Sequence, residues 1–451
     1  MLNVDVIIFP IALLLFAFLA FKRVSAPLLG ILVTIFLAVG VGMPLYDTMV
    51  GPYMEEAASY FQSFFLIFLT GALFGAVMED TGAAESIASF IIDKTKGKFA
   101  APMVMVITGI LTYGGISGFV IFFGMLPITL QLFKRTNIPR KLIPAAISSG
   151  TWTWSMNSPG TPAIQNVIPI EFLGTNPTAA LLPGLASGLT QFALIFAFLE
   201  WRSQALKNKG ITFDSDPESL AMVKDHQDQD KDEDGEGQTS SEKRNSNNYP
   251  KPLIAFLPPV IILFLFNIIN LPVEIAVSSG TIAGVILMYS YVGSPMKWIE
   301  TLNKGTINSA IAILNTAAVV GFAGVARITD GFEIVIDRLK GMDLNPLWFV
   351  AITSTIAAGI AGSASGGLSA AYAALLDTYE ALPIPMEYVH RISAISAGVM
   401  DTLPHQGALI TLLYLTKLTH KEAYFEVAIT QILIPLIALA FVAIPLASMG
   451  L

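Results

Sequence analysis

The sequence predicts an all-α polytopic membrane protein made of two inverted-topology repeats, each with a re-entrant helical hairpin and a broken transmembrane helix. Three observations carry this prediction. The chain of 451 residues is 54% hydrophobic and only 13% charged, and many of its apolar runs are long enough to cross a bilayer. Similar residues recur at a constant distance along the chain. Polar or glycine-rich stretches interrupt the apolar segments at matching places.

Composition also narrows the possible activities. The chain has no cysteine, which excludes disulfides and thiol chemistry, and its four histidines offer little material for a metal centre. The net charge of -8 comes largely from one segment, so we expect no nucleic acid partner. The sequence lacks the HExxH, Walker A and GxSxG motifs. We therefore expect no enzymatic activity, no cofactor and no bound metal.

Three regions follow one another along the chain. Residues 1–202 and 253–451 are predicted to be the first and second membrane repeats. Residues 203–252 are polar and acidic, with too few apolar side chains to offset the entropy of ordering, and are predicted to be a disordered cytoplasmic linker. The first apolar run lacks a preceding basic region and a cleavage site, so we interpret it as a retained span rather than a signal peptide.

The two repeats share small residues and prolines at corresponding positions. Gly114, Ser117 and Gly118 match Gly362, Ser365 and Gly366 at an offset of 248 residues, and the segment ISSG at 147–150 matches ISAG at 395–398 at the same offset. Further along, NSPGTPA (157–163) corresponds to TLPHQGA (402–408). Matching interruptions in both halves indicate an internal duplication.

Basic residues orient the repeats, because they are enriched on the cytoplasmic side of membranes. With Lys22 and Arg23 inside, only Arg327, Arg338, Lys340 and Arg391 of the 25 basic residues fall outside or within the membrane. The two halves then run in opposite directions, as in secondary transporters with inverted repeats. The predicted spans are 28–45, 61–78, a hairpin within 99–133, a broken span at 142–172, 178–200, 253–270, 273–292, 305–326, a hairpin turning at 362–367, a broken span at 387–416, and 424–447.

The glycine-rich hairpin tips are candidate binding elements. Non-helical backbone at membrane depth is tolerated only inside the protein or beside a wet cavity, and helix N-termini attract anions. Close packing of helices through small residues is the structural alternative. The candidate substrate-binding residues at the two tips are Gly114, Gly115 and Ser117 in the first, and Ser363, Ser365 and Gly366 in the second.

The two broken spans carry different chemistry. Asp401 and His405 bring titratable groups to the second break, where ionisable residues are costly and usually functional, and we interpret them as proton-coupling residues. Helix capping and a carbonyl hydrogen bond are the structural alternatives. The first break is neutral, and its Asn157, Ser158 and Thr161 are candidate substrate-binding residues.

Arg391, near the outer start of the second broken span, is a candidate for attracting an incoming anion. An interfacial anchor whose charge reaches toward the headgroups is an equal alternative for this residue.

The second half resembles the gluconate permease (GntP-type) family of proton symporters. The similarity lies in GSASGGLSAAYAAL, in HRISAISAGVMDTLPHQGALITLL and in LTHKEAY, with Gln406 where Asn is expected most often. The resemblance implies a fold of the ion transporter superfamily, often a homodimer, in a bacterial inner membrane. It also implies uptake with protons of gluconate or a short hydroxy acid such as 3-hydroxybutyrate or glycerate.

Sodium coupling remains an alternative, because a carboxylate and unwound carbonyls also suit that ion. An anion channel is a further alternative, which is disfavoured because the sequence has no repeated ring of charge.

Overall fold

All regular structure in the described part of the chain is helical. The structure is a computed structural model that describes residues 5–22, 24–113, 118–161, 163–228, 249–269, 271–331, 334, 338, 341 and 344–451. We number the longer helices in chain order. They are α1 (Asp5–Phe21), α2 (Ala26–Gly40), α3 (Met54–Asp80), α4 (Ala83–Thr95), α5 (Ala100–Tyr113), α6 (Gly118–Thr136), α7 (Ile143–Thr151), α8 (Ile164–Leu173), α9 (Leu181–Asn208), α10 (Pro217–Asp228), α11 (Pro252–Asn267), α12 (Val273–Leu287), α13 (Pro295–Arg327), α14 (Pro346–Ala361), α15 (Ala364–Glu380), α16 (Met386–Ala397), α17 (Gly407–Leu415) and α18 (His420–Ser448).

Helix lengths and composition are those of a multi-pass membrane protein. Within the described residues, five helical stretches are long and apolar enough to cross a membrane: Leu45–Asp80, Gly118–Thr136, Leu181–Asn208, Pro295–Arg327 and His420–Ser448. Many large apolar side chains on these and the shorter apolar helices are exposed, as expected for surfaces that face lipid. The chain therefore folds as a polytopic helical protein.

The helix order of the first half recurs in the second half. α2 and α12, α3 and α13, α5 and α14, and α6 and α15 each begin at positions close to the 248-residue offset seen in the sequence. Both broken spans recur as well, as α7 with α8 and as α16 with α17. This recurrence supports the predicted duplication. The opposite orientation of the halves and the re-entry of the hairpins into the membrane stay predictions.

Helices α3 and α13 pack along each other and form the contact between the two halves on one side of the molecule. Small residues permit the close approach: a β-carbon on Gly305 would lie 3.0 Å from the carbonyl oxygen of Ala72. Lys304 Nζ on α13 also lies 3.5 Å from carboxylate oxygens of both Glu79 and Asp80 on α3. We call α3 and α13 the frame helices, because parts of both hairpins and of the second broken span pack against them.

The predicted disorder of residues 203–252 was wrong for residues 203–228. α9 continues through Asn208, and α10 follows at Pro217–Asp228. Phe213 and Ser219 are completely buried, so this segment packs against the membrane part of the protein. Its acidic composition concealed a short amphipathic helix whose apolar residues find a partner surface. The stretch 229–248 lies outside the described residues.

Arg140 is the residue that holds this helix in place. Its Nε donates to Asp216 Oδ2 (2.9 Å) and Ser219 Oγ (3.2 Å), while its Nη1 donates to the carbonyls of Thr416 (2.6 Å) and Lys417 (2.7 Å). Thr416 and Lys417 directly follow the C-terminus of α17, where backbone carbonyls lack partners within the helix. One buried guanidinium thus links the segment after α9 to the second broken span.

Candidate functional site

The second broken span is interrupted between α16 and α17. Gly398 to Gln406 adopt no regular helix, and Pro404, which has no N–H to donate, lies within this stretch. The following helix begins again because the Gln406 side chain accepts a hydrogen bond from Leu409 N (2.6 Å). The Pro404 carbonyl accepts from His420 Nε2 (2.9 Å). The interruption is therefore an ordered structure with its own hydrogen bonds.

Asp401 and His405 lie in this interruption, almost completely buried. Their exposed fractions are 3% and 5%, and neither Asp401 Oδ1 nor His405 Nε2 has a hydrogen-bond partner. The His405 ring packs edge-on against Phe16 (centroids 5.6 Å apart) and interacts with the backbone of Gly359 and Ile360. Unpartnered buried polar atoms are rare and costly. Here they belong to two titratable side chains, four residues apart in the chain.

The tip of the second hairpin lies directly beside His405. Gly362 has φ +57, and a β-carbon on it would lie 2.7 Å from His405 Cδ2 and 3.0 Å from Nε2. Glycine is therefore required both by the left-handed backbone and by the imidazole. Ser363 caps α15 by accepting from Gly366 N (3.2 Å), and its hydroxyl lies 3.2 Å from that of Ser365.

The observed turn is shorter than the predicted tip. It comprises Gly362 and Ser363, and residues 364–367 already belong to the first turn of α15. The candidate residues Ser363, Ser365 and Gly366 are partly exposed, unlike Asp401 and His405. The structure thus brings the second tip and the second break together, with the tip on the more open side.

The first break is built from the neutral residues between α7 and α8. Asn157, Ser158 and Thr161 are all buried. The Ser158 hydroxyl donates to the Trp154 carbonyl, and Thr161 Oγ1 accepts from Ala163 N (3.3 Å). The Asn157 amide nitrogen has no partner. Two of the three candidates therefore bond to local backbone, and Asn157 is the one with a free donor.

The two breaks meet at Asn157. A β-carbon on Gly398 would lie 3.4 Å from Asn157 Nδ2 and 3.2 Å from Met156 Cε. Gly398 is the first residue of the second break and comes three residues before Asp401. The Asn157 amide of the first break therefore lies beside the start of the second break.

The candidates Gly114, Gly115 and Ser117 of the first tip lie outside the described residues. The residues that flank them contact the first break. Tyr113 Oη donates to the Pro159 carbonyl (2.6 Å), and a β-carbon on Gly118 would lie 3.4 Å from Trp152 Nε1. Each hairpin therefore contacts the break of its own half.

Arg391 is completely buried and joins the two halves. It donates to the carbonyls of Asn157 (Nη1, 2.8 Å), Ala179 (Nε, 3.0 Å) and Pro177 (Nη2, 3.2 Å), all in the first half. These bonds fix the shape of the first break. The predicted attraction of an incoming anion stays a prediction, and this burial argues against a position at an aqueous entrance.

His390 extends this contact. Its Nδ1 is 2.7 Å from Thr175 Oγ1 and its Nε2 is 2.9 Å from Asn166 Oδ1. Asn166 in turn donates to the carbonyls of Thr161 (2.9 Å) and Pro177 (3.1 Å). Sequence reasoning missed Asn166 and Thr175 as partners. A polar residue within the apolar segment IQNVIPI was the only available signal for Asn166.

Arg327 was also missed as a neighbour of the second tip. A β-carbon on Gly366 would lie 3.8 Å from Arg327 Nη1, and Arg327 Nη2 is 2.5 Å from Glu56 Oε1. The first turn of α3, which contains Glu56, and the C-terminus of α13 are far apart in sequence. Only the packing of α3 on α13 reveals that this cation lies near the hairpin.

Comparison with known proteins agrees with this architecture. A family model described as GntP family permease matches residues 2–296. A Bacillus subtilis (strain 168) protein named uncharacterized transporter YxjC is 32% identical over 477 residues, covering 95% of this chain and 96% of the relative. An uncharacterized transporter of Haemophilus influenzae is 25% identical over 399 residues, covering 88% and 87% of the two chains. The extent of these matches, on a polytopic helical chain with two interrupted spans, shows that the protein belongs to the GntP family of permeases.

Proposed function

We propose that the protein is a secondary active transporter that takes up a small hydroxylated carboxylate together with protons. Gluconate and short hydroxy acids such as 3-hydroxybutyrate and glycerate are the candidate substrates. The observation that carries the proposal is the pair of buried titratable groups, Asp401 and His405, with unpartnered atoms beside a hairpin tip. Membership of a permease family supports transport rather than catalysis.

In this proposal the second tip binds the anion and the second break handles the proton. The N-terminus of α15, with its helix dipole, and the hydroxyls of Ser363 and Ser365 suit a carboxylate and its neighbouring hydroxyl groups. The amide of Asn157 adds a donor from the first half. The mobile part would comprise the hairpins and broken spans, moving against α3 and α13 in the inner membrane of a bacterium, as a homodimer.

Uptake into proteoliposomes tests the proposal. We expect labelled gluconate, 3-hydroxybutyrate or glycerate to accumulate when an inward proton gradient is imposed, and a protonophore to abolish the accumulation. Accumulation that requires a sodium gradient and ignores the protonophore would establish the sodium-coupled alternative instead. Equilibration without accumulation under either gradient would reject symport.

The coupling residues are tested separately from binding. Asp401→Asn and His405→Ala are expected to abolish proton-driven accumulation while the protein stays inserted, because each removes one group that can exchange a proton. Counterflow of labelled substrate against unlabelled substrate needs no net proton movement, so Asp401→Asn is expected to retain it. Normal accumulation in both variants would remove these residues from the coupling step.

A further inference from the structure

Arg327 lies at the point where the second hairpin tip meets the frame helices. It is the last residue of α13, and its Nη1 would be 3.8 Å from a β-carbon placed on Gly366, in the first turn of α15. Its side chain is 30% exposed. The guanidinium therefore lies beside the N-terminus of a 17-residue helix, where the helix dipole favours an anion.

The partner of Arg327 in this structure is the Glu56 carboxylate. Nη2 and Oε1 are 2.5 Å apart, and the Glu56 side chain is 33% exposed. Gly324 permits the contact, because a β-carbon there would lie only 2.9 Å from Glu56 Cγ. The Arg327 guanidinium is thus already paired with a carboxylate. Glu56 belongs to the first half of the chain and Arg327 to the second.

A second feature points to a ligand at the same place. His405, with an exposed fraction of 5%, directs its unpartnered Nε2 at Gly362, the first residue of the tip. The tip is therefore flanked by a cation near Gly366 and an imidazole nitrogen near Gly362, with the N-terminus of α15 and the hydroxyl of Ser365 between them in the chain. A carboxylate that carries a nearby hydroxyl group matches this set, because guanidinium binds carboxylates through two parallel hydrogen bonds.

We propose that Arg327 binds the carboxylate of the transported anion, and that Arg327 pairs with Glu56 when no anion is bound. The inference rests on the proposed function and adds to it the residue that selects for negative charge. Substrate binding exchanges one carboxylate for another, so the cation is never left without a partner. The exchange also breaks the ion pair between the start of α3 and the end of α13, which links occupancy of the site to the contact between these two helices.

The test compares the KM for uptake of the labelled acid that the wild-type protein transports. Arg327→Gln is expected to raise the KM about ten-fold or more, the size expected for loss of a charge-assisted hydrogen bond. Glu56→Gln is expected to lower the KM several-fold, because it removes the competing carboxylate. Matched controls are Glu55→Gln, next in the chain but exposed, and Arg338→Gln, an exposed arginine, and both are expected to leave the KM unchanged.

Several outcomes would overturn the inference while leaving the proposed function intact. An unchanged KM in Arg327→Gln would show that the cation does not bind substrate. An equal rise of KM in Arg327→Gln and Glu56→Gln would show that the pair only holds the structure together. If Arg327→Gln does not insert, Arg327→Lys and Glu56→Gln provide the same comparison. Failure of the proposed function is distinct, since the wild-type protein would then accumulate none of the acids.

Discussion

At the scale of single residues, the site depends on positions where no side chain can be added. Gly362 is the strongest case, because its backbone is left-handed and its missing β-carbon leaves room for the His405 ring. Gly398 is a milder case, because an added β-carbon would lie 3.2 Å from Met156 Cε and in ordinary contact with the Asn157 amide. These glycines set how closely the hairpin and the two breaks approach one another, and so they set the position of the polar atoms.

Gly362→Ala is expected to lower proton-driven uptake by about ten-fold or more, because small displacements of a functional side chain carry large rate penalties. The new methyl group would overlap His405 and force the ring to move. Gly174→Ala is the matched control: Gly174 has φ +63 but nothing within 4 Å of the added carbon. Both variants carry the same left-handed strain of roughly 1–2 kcal/mol. Equal uptake by the two would show that the contact with His405 is unimportant.

At the scale of helices, α10 shows how an acidic segment becomes ordered. Burial by itself would raise the pKa of Asp216, but hydrogen bonds from Ser219 and Arg140 and the positive charge of Arg140 outweigh it and lower this pKa below its ordinary value of 3.8. A lowered pKa means that the carboxylate stabilises the folded state fully above the ordinary value, and that this is lost only as the pH falls further. The docking of α10 is therefore independent of pH in the range that cells maintain.

Asp216→Asn is expected to loosen α10 and to speed trypsin cleavage at Lys207 or Lys209 about five-fold. This corresponds to the roughly 1 kcal/mol expected for a partly exposed ion pair. Asp214→Asn, which changes a neighbouring exposed carboxylate, is the control and is expected to leave cleavage unchanged. In the wild-type protein, hydrogen exchange of α10 corrected for intrinsic rates is expected to be the same at pH 5 and pH 8. A marked rise in corrected exchange at pH 5 would contradict the assignment.

At the scale of the whole molecule, buried charges join the two halves at separate places. Arg391 of the second half donates to three carbonyls of the first. Glu426, which is completely buried, accepts from Arg202 Nη2 (2.7 Å) and lies 3.0 Å from Lys141 Nζ. Together with Arg140 and with the packing of α3 on α13, these contacts bind the halves without using the residues between α10 and α11.

Residues 1–228 and 249–451, expressed together as two chains, are therefore expected to assemble and transport, while either chain alone is expected to be inactive. The measurement is co-purification of the two chains through a tag on one of them, followed by uptake. Arg140→Gln combined with Arg202→Gln in the first chain is expected to reduce co-purification, because both remove bonds to the second chain. Failure of the unmodified pair to associate would show that the connecting segment is essential for assembly.

The sequence predicts the positions of the helices and interruptions more fully than it predicts the contacts of the site. The composition and the 248-residue offset locate both broken spans to within a few residues, because apolar length and proline positions are local properties. The partners of Arg391, the pair of Arg327 with Glu56, and the docking of α10 on Arg140 depend on segments far apart in the chain. No spacing rule brings those segments together before the helices are packed.

The hydrogen bond from His420 to the Pro404 carbonyl bears on which cation can drive the transporter. A carbonyl accepts but cannot donate, so Nε2 of His420 must carry its hydrogen, and one oxygen exposed by the kink is already engaged. A sodium ion is held by a shell of several oxygens, whereas a proton needs a single basic atom. Mutating His420 to a residue that frees this oxygen therefore tests whether the Pro404 carbonyl can join a sodium shell, read out as a new dependence of uptake on sodium.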